Sequence, residues 1–262
     1  MKNRVFVFVM LATAMAGLVS CNCGPKQPQQ YVMTMEPMSG AETQPQLDEE
    51  VPVALWDDGM VLSTARLTNG EKGVVLIPND TAAINGVLHM VYPANAAMGR
   101  AGCVSIDTMQ HPMPLGEGMV YYGETTEDAS DVMALKAVGG VIRLCLTTEV
   151  KLAKVTISTA DSNRYMAGVF EVSNYPFPVL TATEQSVRNV TLTGLEDIDF
   201  VQGAEVYCCM APGCYNTFTV LLTAADGRTC TKNLKEDKEV VLDRNRMCTI
   251  RLGSQEEVLE FE

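Results

Sequence analysis

Apolar residues recur at every second position along this chain, in short runs, and that spacing constrains its fold more than any other feature. In Lys154-Val155-Thr156-Ile157-Ser158 and Asn189-Val190-Thr191-Leu192-Thr193, aliphatic residues alternate with hydroxyl-bearing and polar ones. Successive side chains of a strand point to opposite faces, so each run can send one face into a core and the other into water. A helix needs a repeat near 3.6 residues; only 129–135 and 184–188 look briefly helical, and both are too short to stand alone. Between the runs lie Asn69-Gly70, Pro78-Asn79-Asp80 and Pro93-Ala94-Asn95. Each supplies turn chemistry: Gly tolerates positive φ, Asn and Asp bond locally, and Pro fixes φ.

The pattern predicts strands over 60–67, 73–77, 86–92, 102–106 and 119–123 in a first half. A second half carries 138–147, 154–158, 165–172, 189–193, 204–210, 216–224, 238–243 and 246–252. The tail, 255–262, reads either as a closing strand of its own sandwich or as a segment offered to a neighbour. So many short strands predict an all-β fold of two antiparallel β-sandwich domains. An acidic polar stretch, 124–131, marks the boundary, giving domains 51–128 and 129–262.

The front of the chain is of another kind. Lys2 and Arg4 precede an apolar stretch from Val5 to Leu11, followed by small residues and Leu18-Val19-Ser20-Cys21. The apolar core is too short to cross a bilayer, which marks 1–20 as a secretory signal peptide. Leu-Val-Ser-Cys matches a bacterial lipobox and makes Cys21 the lipidated mature N-terminus, its palmitate and diacylglycerol chains giving a stable membrane anchor. No other stretch reaches the roughly eighteen apolar residues of a spanning helix. Residues 21–50, rich in Pro, Gln, Met and acids, read as a flexible tether.

Net charge is -13, which excludes nucleic acid as a partner, because phosphate binding needs a clustered positive surface. Nine cysteines invite a disulfide reading in an exported chain, but after Cys21 the remaining eight have no regular spacing and their connectivity is open. Cys208 and Cys248 alternate in register with apolar neighbours, as buried thiols do. Cys208-Cys209 with Cys214 lacks paired Cys-x-x-Cys spacing and a nearby histidine, so no metal is expected. Neither histidine announces catalysis: His89 lies in a strand pattern and His111 precedes Pro112 in a loop. With no phosphate cradle or nucleophile elbow, the expectation is a chain that is not an enzyme and uses no cofactor.

The second half resembles the C-terminal region of the fimbrillin family, the fimbrial subunits of Bacteroidales. The matching residues, in order, are Leu135 to Leu144 around Gly139-Gly140, Lys154 to Ser158, Ala167-Gly168 and Val190-Thr191-Leu192. Val206-Tyr207 through Ala211-Pro212-Gly213, and Phe218-Thr219-Val220 through Asp226-Gly227, complete the series. The resemblance implies two sandwiches of transthyretin-like topology, a place in the outer membrane or at the cell surface, and other fimbrial subunits as partners, with adhesion to a host or microbial surface ligand.

In that family an arginine-specific protease removes the N-terminal segment with its first strand, and a neighbour's strand fills the groove. This is β-augmentation, in which an opened sheet offers unpaired backbone and apolar pockets. Here no arginine lies between Cys21 and Glu50; the first is Arg66, which is either the maturation site or an outward-facing strand residue. An uncut, lipid-bearing chain suits an anchor or tip component better than a shaft subunit. Asp80-Thr81-Ala82 and Asp107-Thr108-Met109 are similar to the O-glycosylation acceptor motif of these bacteria. A glycan-binding surface lipoprotein is the alternative, with Trp56, Tyr121, Tyr122, Tyr175 and Phe177 as the aromatic candidates.

Overall fold

The computed structural model describes residues 31–41, 46–70, 73–78, 86–115, 118–125, 132–174, 176–234, 239–254 and 257–262. Among these the chain is all-β, as the alternation requires. The first five strands are β1 (Tyr31–Met35), β2 (Val53–Trp56), β3 (Ser63–Gly70), β4 (Gly73–Pro78) and β5 (His89–Tyr92). After a 3-10 turn at Ala94–Ala97 come β6 (Cys103–Ile106), β7 (Met109–Gln110), β8 (Tyr121–Glu124) and β9 (Val132–Ala137). Seven of these strands close into a barrel in the order β1-β4-β3-β2-β5-β8-β9, with β9 returning to β1.

The later strands are β10 (Gly140–Leu146), β11 (Leu152–Ser158), β12 (Ala167–Asn174), β13 (Pro178–Val187), β14 (Asn189–Thr193) and β15 (Ala204–Met210). They continue as β16 (Gly213–Tyr215), β17 (Phe218–Ala224), β18 (Thr229–Leu234), β19 (Val240–Leu242) and β20 (Met247–Leu252). The sheets they form are β15-β10-β20, β18-β17-β11-β14-β7, β13-β12-β6 and β16-β19. Asp226-Gly227 turns β17 into β18 as the sequence predicts: Gly227, at φ +92°, donates its N–H to the Ala224 carbonyl at 3.0 Å.

Three differences from expectation have physical causes. The first half is a closed barrel, because β1 joins the free edges of β4 and β9 and so removes them. Tyr31–Met35, which supplies that strand, lies inside the stretch read as a tether. The two segments read as briefly helical are strands: Val132–Ala137 is β9 and 184–187 ends β13. Their Ala, Leu, Met, Lys, Glu and Gln favour helix locally, and long-range pairing with burial of Met133, Leu135 and Ala137 overrides that preference.

Pairing crosses the expected boundary near 128. β9 belongs to the barrel, whereas β6 pairs with β12 and β7 with β14. Two cores result. Inside the barrel lie Met33, Val53, Leu55, Leu76, Met90, Tyr121, Met133 and Leu135. The second core, around Ile142, Leu144, Val155, Ile157, Phe170 and Val220, also receives Ala54, Trp56, Val91 and Tyr122 from the barrel's outer face. Both faces of β2 are therefore covered, which is why Val53-Ala54-Leu55-Trp56 reads as a continuous apolar run.

Gly168 carries a testable consequence. At φ +95° it sits at the irregularity where β12 meets β13, and a Cβ there would lie 2.2 Å from the Gln185 carbonyl oxygen. Gly168→Ala should cost ~3 kcal/mol or more, whereas Gly73→Ala, at φ +111° in open space, should cost only the backbone strain of about 1–2 kcal/mol. Urea midpoints of the two variants measure the difference.

Candidate functional site

β1 is one of the strands that the sequence pattern did not predict, as are β13, β16 and β18, and it is short. Its residues Tyr-Val-Met-Thr-Met alternate, so Tyr31 and Met33 enter the barrel core while Thr34 faces out. β1 pairs on one side antiparallel with β4, in the register Tyr31↔Leu76 and Val32↔Val75. On the other it pairs parallel with β9, from Val32↔Val132 to Met35↔Leu135. Lifting it out would bare two strand edges and the apolar floor formed by Leu76, Met133 and Leu135. Each buried side chain of this size contributes roughly 1.5–3 kcal/mol, so packing adds to the backbone pairing that holds the strand.

Chain order makes β1 separable. It comes first among the described strands, and the segment 36–52 leads from it to β2. From Gln27 to Ala65 the sequence has neither Lys nor Arg, so this connection offers no trypsin-like cleavage site. Arg66 is exposed on β3, opposite Ile77 of β4, with Ala65 and Leu67 buried on either side. Cutting there would sever a paired barrel strand, so a protease would first have to open β3.

The C-terminal tail lies on its own chain. Glu262 and Thr229 exchange backbone hydrogen bonds, Thr229 N–H donating at 2.8 Å and Glu262 N–H at 2.9 Å, which seats the tail on the outer edge of β18. Leu259 is buried, Phe261 packs on the second core, and Lys232 pairs with Glu257 at 3.1 Å. Residues 257–262 thus lie against their own chain without forming a strand.

Other sequence candidates scatter. Thr108 is exposed between β6 and β7, and its carbonyl accepts the Thr191 N–H at 2.9 Å. Cys21, Thr81 and Tyr175 lie outside the described residues. Trp56, Tyr121 and Tyr122 are buried and cannot serve as platforms for sugar rings. Phe177 is half exposed, but Lys136 and Arg244 stand over its ring at 4.9 and 4.8 Å.

His89 has more company than its strand pattern suggested. Pairing of β5 with β8 puts it opposite Glu124, and its Nδ1 lies 2.8 Å from the Tyr122 hydroxyl and 3.3 Å from a Glu124 oxygen. Tyr122 donates to Glu124 at 2.5 Å, Asp58 lies 3.9 Å from His89 Nε2, and Trp56 stacks on the imidazole. Burial and the neighbouring carboxylate raise the Tyr122 phenol well above its usual range, so it stays a donor. The polar groups satisfy one another. His111 stands apart, 3.4 Å from the Thr193 hydroxyl.

No family model matches the chain, and no curated protein matches it in sequence. Solved structures do. A candidate cell adhesion protein from Bacteroides ovatus aligns over 90% of this chain and 95% of its own, with a TM-score of 0.54 at 10% identity. A second, from Bacteroides uniformis, aligns over 91% and 98%, with a TM-score of 0.51 at 12% identity. The chain has the fold of these Bacteroides proteins. Coverage of nine-tenths on both sides extends this likeness of fold over most of the chain.

Among the described residues no thiol is bridged; Cys103, Cys208, Cys209 and Cys230 are buried, and Cys145, Cys214 and Cys248 are partly exposed. Burial pushes Cys209 up to about 12 and Cys208 well above its usual range. Both should resist iodoacetamide in the native protein and react once urea unfolds it, as read by mass spectrometry of peptides covering 204–210.

Proposed function

We propose that this chain is a non-catalytic component of a cell-surface fibre, held in the outer membrane through a lipid on Cys21, that joins other fimbrial subunits by lending or accepting a β-strand. The seat of β1 carries this reading: one short strand, first among the described strands, fills a slot between two barrel strands that any extended segment of like alternation could occupy. Such a contact is heterologous and extends into a filament instead of closing a dimer. The fold shared with candidate cell adhesion proteins supports a surface role.

Within that role the chain is a component that keeps its own first strand. The segment between β1 and β2 has no basic residue, and Arg66, though exposed, lies in the paired strand β3, so a trypsin-like protease would have to open β3 to act there. With β1 retained the slot is filled from within, which suits a lipid-anchored base or a tip better than a repeating shaft unit. The tail is seated on the edge of its own β18 with Leu259 and Phe261 turned inward, so it would have to leave that edge before it could be lent to a neighbour.

Mass spectrometry of the protein taken from the cell surface tests this. Expected are an acylated Cys21 at the N-terminus, peptides spanning Tyr31 to Arg66 intact, and recovery with sheared fibres at low copy relative to their main subunit. A mature start at Leu67 would make the chain a shaft-type subunit, and its absence from the fibre fraction would remove the fimbrial role.

A further inference from the structure

We infer that the turn between β19 and β20 is a latch that holds β1 in its seat, with Arg244 as the residue that positions it. This rests on the reading of β1 as an exchangeable strand and adds what controls the exchange.

The observations converge on the four residues that follow β1. Glu36 accepts a bidentate pair from Arg244, whose Nη2 lies 2.9 Å from Oε1 and whose Nη1 meets Oε2. The same Nη1 donates to the Ala137 carbonyl, at the end of β9, at 3.0 Å. Asn245 Nδ2 donates to the Pro37 carbonyl at 2.8 Å, the Ser39 N–H donates to the Asn245 carbonyl at 3.2 Å, and Ser39 bridges Arg246. Met38, between them, is buried. Arg244 is itself fixed from behind, because its guanidinium stands over Phe177, whose other cation, Lys136, lies on β9 and donates to the Pro176 carbonyl at 3.2 Å.

This arrangement exceeds what closing a barrel requires. β1 is already paired on both sides, yet the chain leaving it is stapled to residues some 208 positions away, in the turn between β19 and β20. A bidentate guanidinium–carboxylate pair is directional, and this one is only 17% and 27% exposed, so solvent screens it less than a surface pair. A strand held by packing alone could peel from its Met35 end, where β9 also ends. The latch closes that end, so release of β1 requires the second half of the molecule to let go first. A neighbour that engages the Phe177 tip or the β19–β20 turn would thereby gain control over the slot.

The test uses the full chain with a sequence-specific protease site inserted after Ala41. Once it is cut, a fluorescent peptide with the sequence of residues 31–41 is added, and its replacement of the severed strand is timed. Arg244→Gln and Glu36→Gln should each speed replacement roughly tenfold or more, and the double variant should be no faster than either alone. The reversed pair, Glu36→Arg with Arg244→Glu, should recover part of the slow rate. Met33→Ala, which loosens the seat and leaves the latch intact, is the control. Replacement in Met33→Ala with no acceleration in Arg244→Gln overturns the latch alone. Acceleration that merely tracks a lower urea midpoint and is not recovered by the reversed pair also overturns it. Absence of replacement in every chain overturns the exchangeable strand together with the latch.

Discussion

Backbone pairing of β1 with β4 on one side and β9 on the other is the constraint on which the rest of the structure depends. A sheet of six strands has two edges, each a row of unmet donors and acceptors, and a seventh strand between them leaves none. That strand also plugs the barrel core with Tyr31 and Met33. A single short segment therefore decides both whether the first half is closed and whether it is sticky. The same physics that stabilises the monomer would bind a neighbour if the segment were missing.

The two halves are not beads on a string. Trp56, Ala54, Val91 and Tyr122 leave the barrel's outer wall to complete the second core. Gln110, buried on β7, holds Cys209 from both directions, accepting its N–H at 2.9 Å and donating to its carbonyl at 2.7 Å. Side-chain amides that copy strand pairing in this way fix orientation as well as distance. Arg244, touching Glu36, Ala137 and Phe177, ties the turn between β19 and β20 to the chain that leaves β1.

Several strands of the second half were legible in the sequence because they alternate over five or more residues and are bounded by turn chemistry, whereas β13, β16 and β18 were not expected. Asn189–Thr193 and Ala204–Met210 fall where the pattern put them. β1 was not legible: Tyr-Val-Met-Thr-Met is a bare five residues among Pro, Gln and Met, and what makes it a strand is two partners more than forty residues away. β9 misled for the opposite reason, since its Ala, Leu, Lys and Met suit a helix that tertiary pairing forbids. Neither the Glu36–Arg244 clamp nor the His89 network has a local signature. Each is created by register, in one case across the whole molecule and in the other by two adjacent strands.

Whether β1 occupies the slot of its own chain when the protein is displayed on cells is therefore the decisive question. Thr34 and Ala134 are exposed and directly opposite in the β1–β9 register. Thr34→Cys with Ala134→Cys, bridged on intact cells by a short thiol cross-linker, should give a chain of monomer mass whose two engineered cysteines are joined to each other. Cross-links between separate chains, running as a ladder of multiples, would mean that the slot is filled from outside and would contradict the self-filled seat.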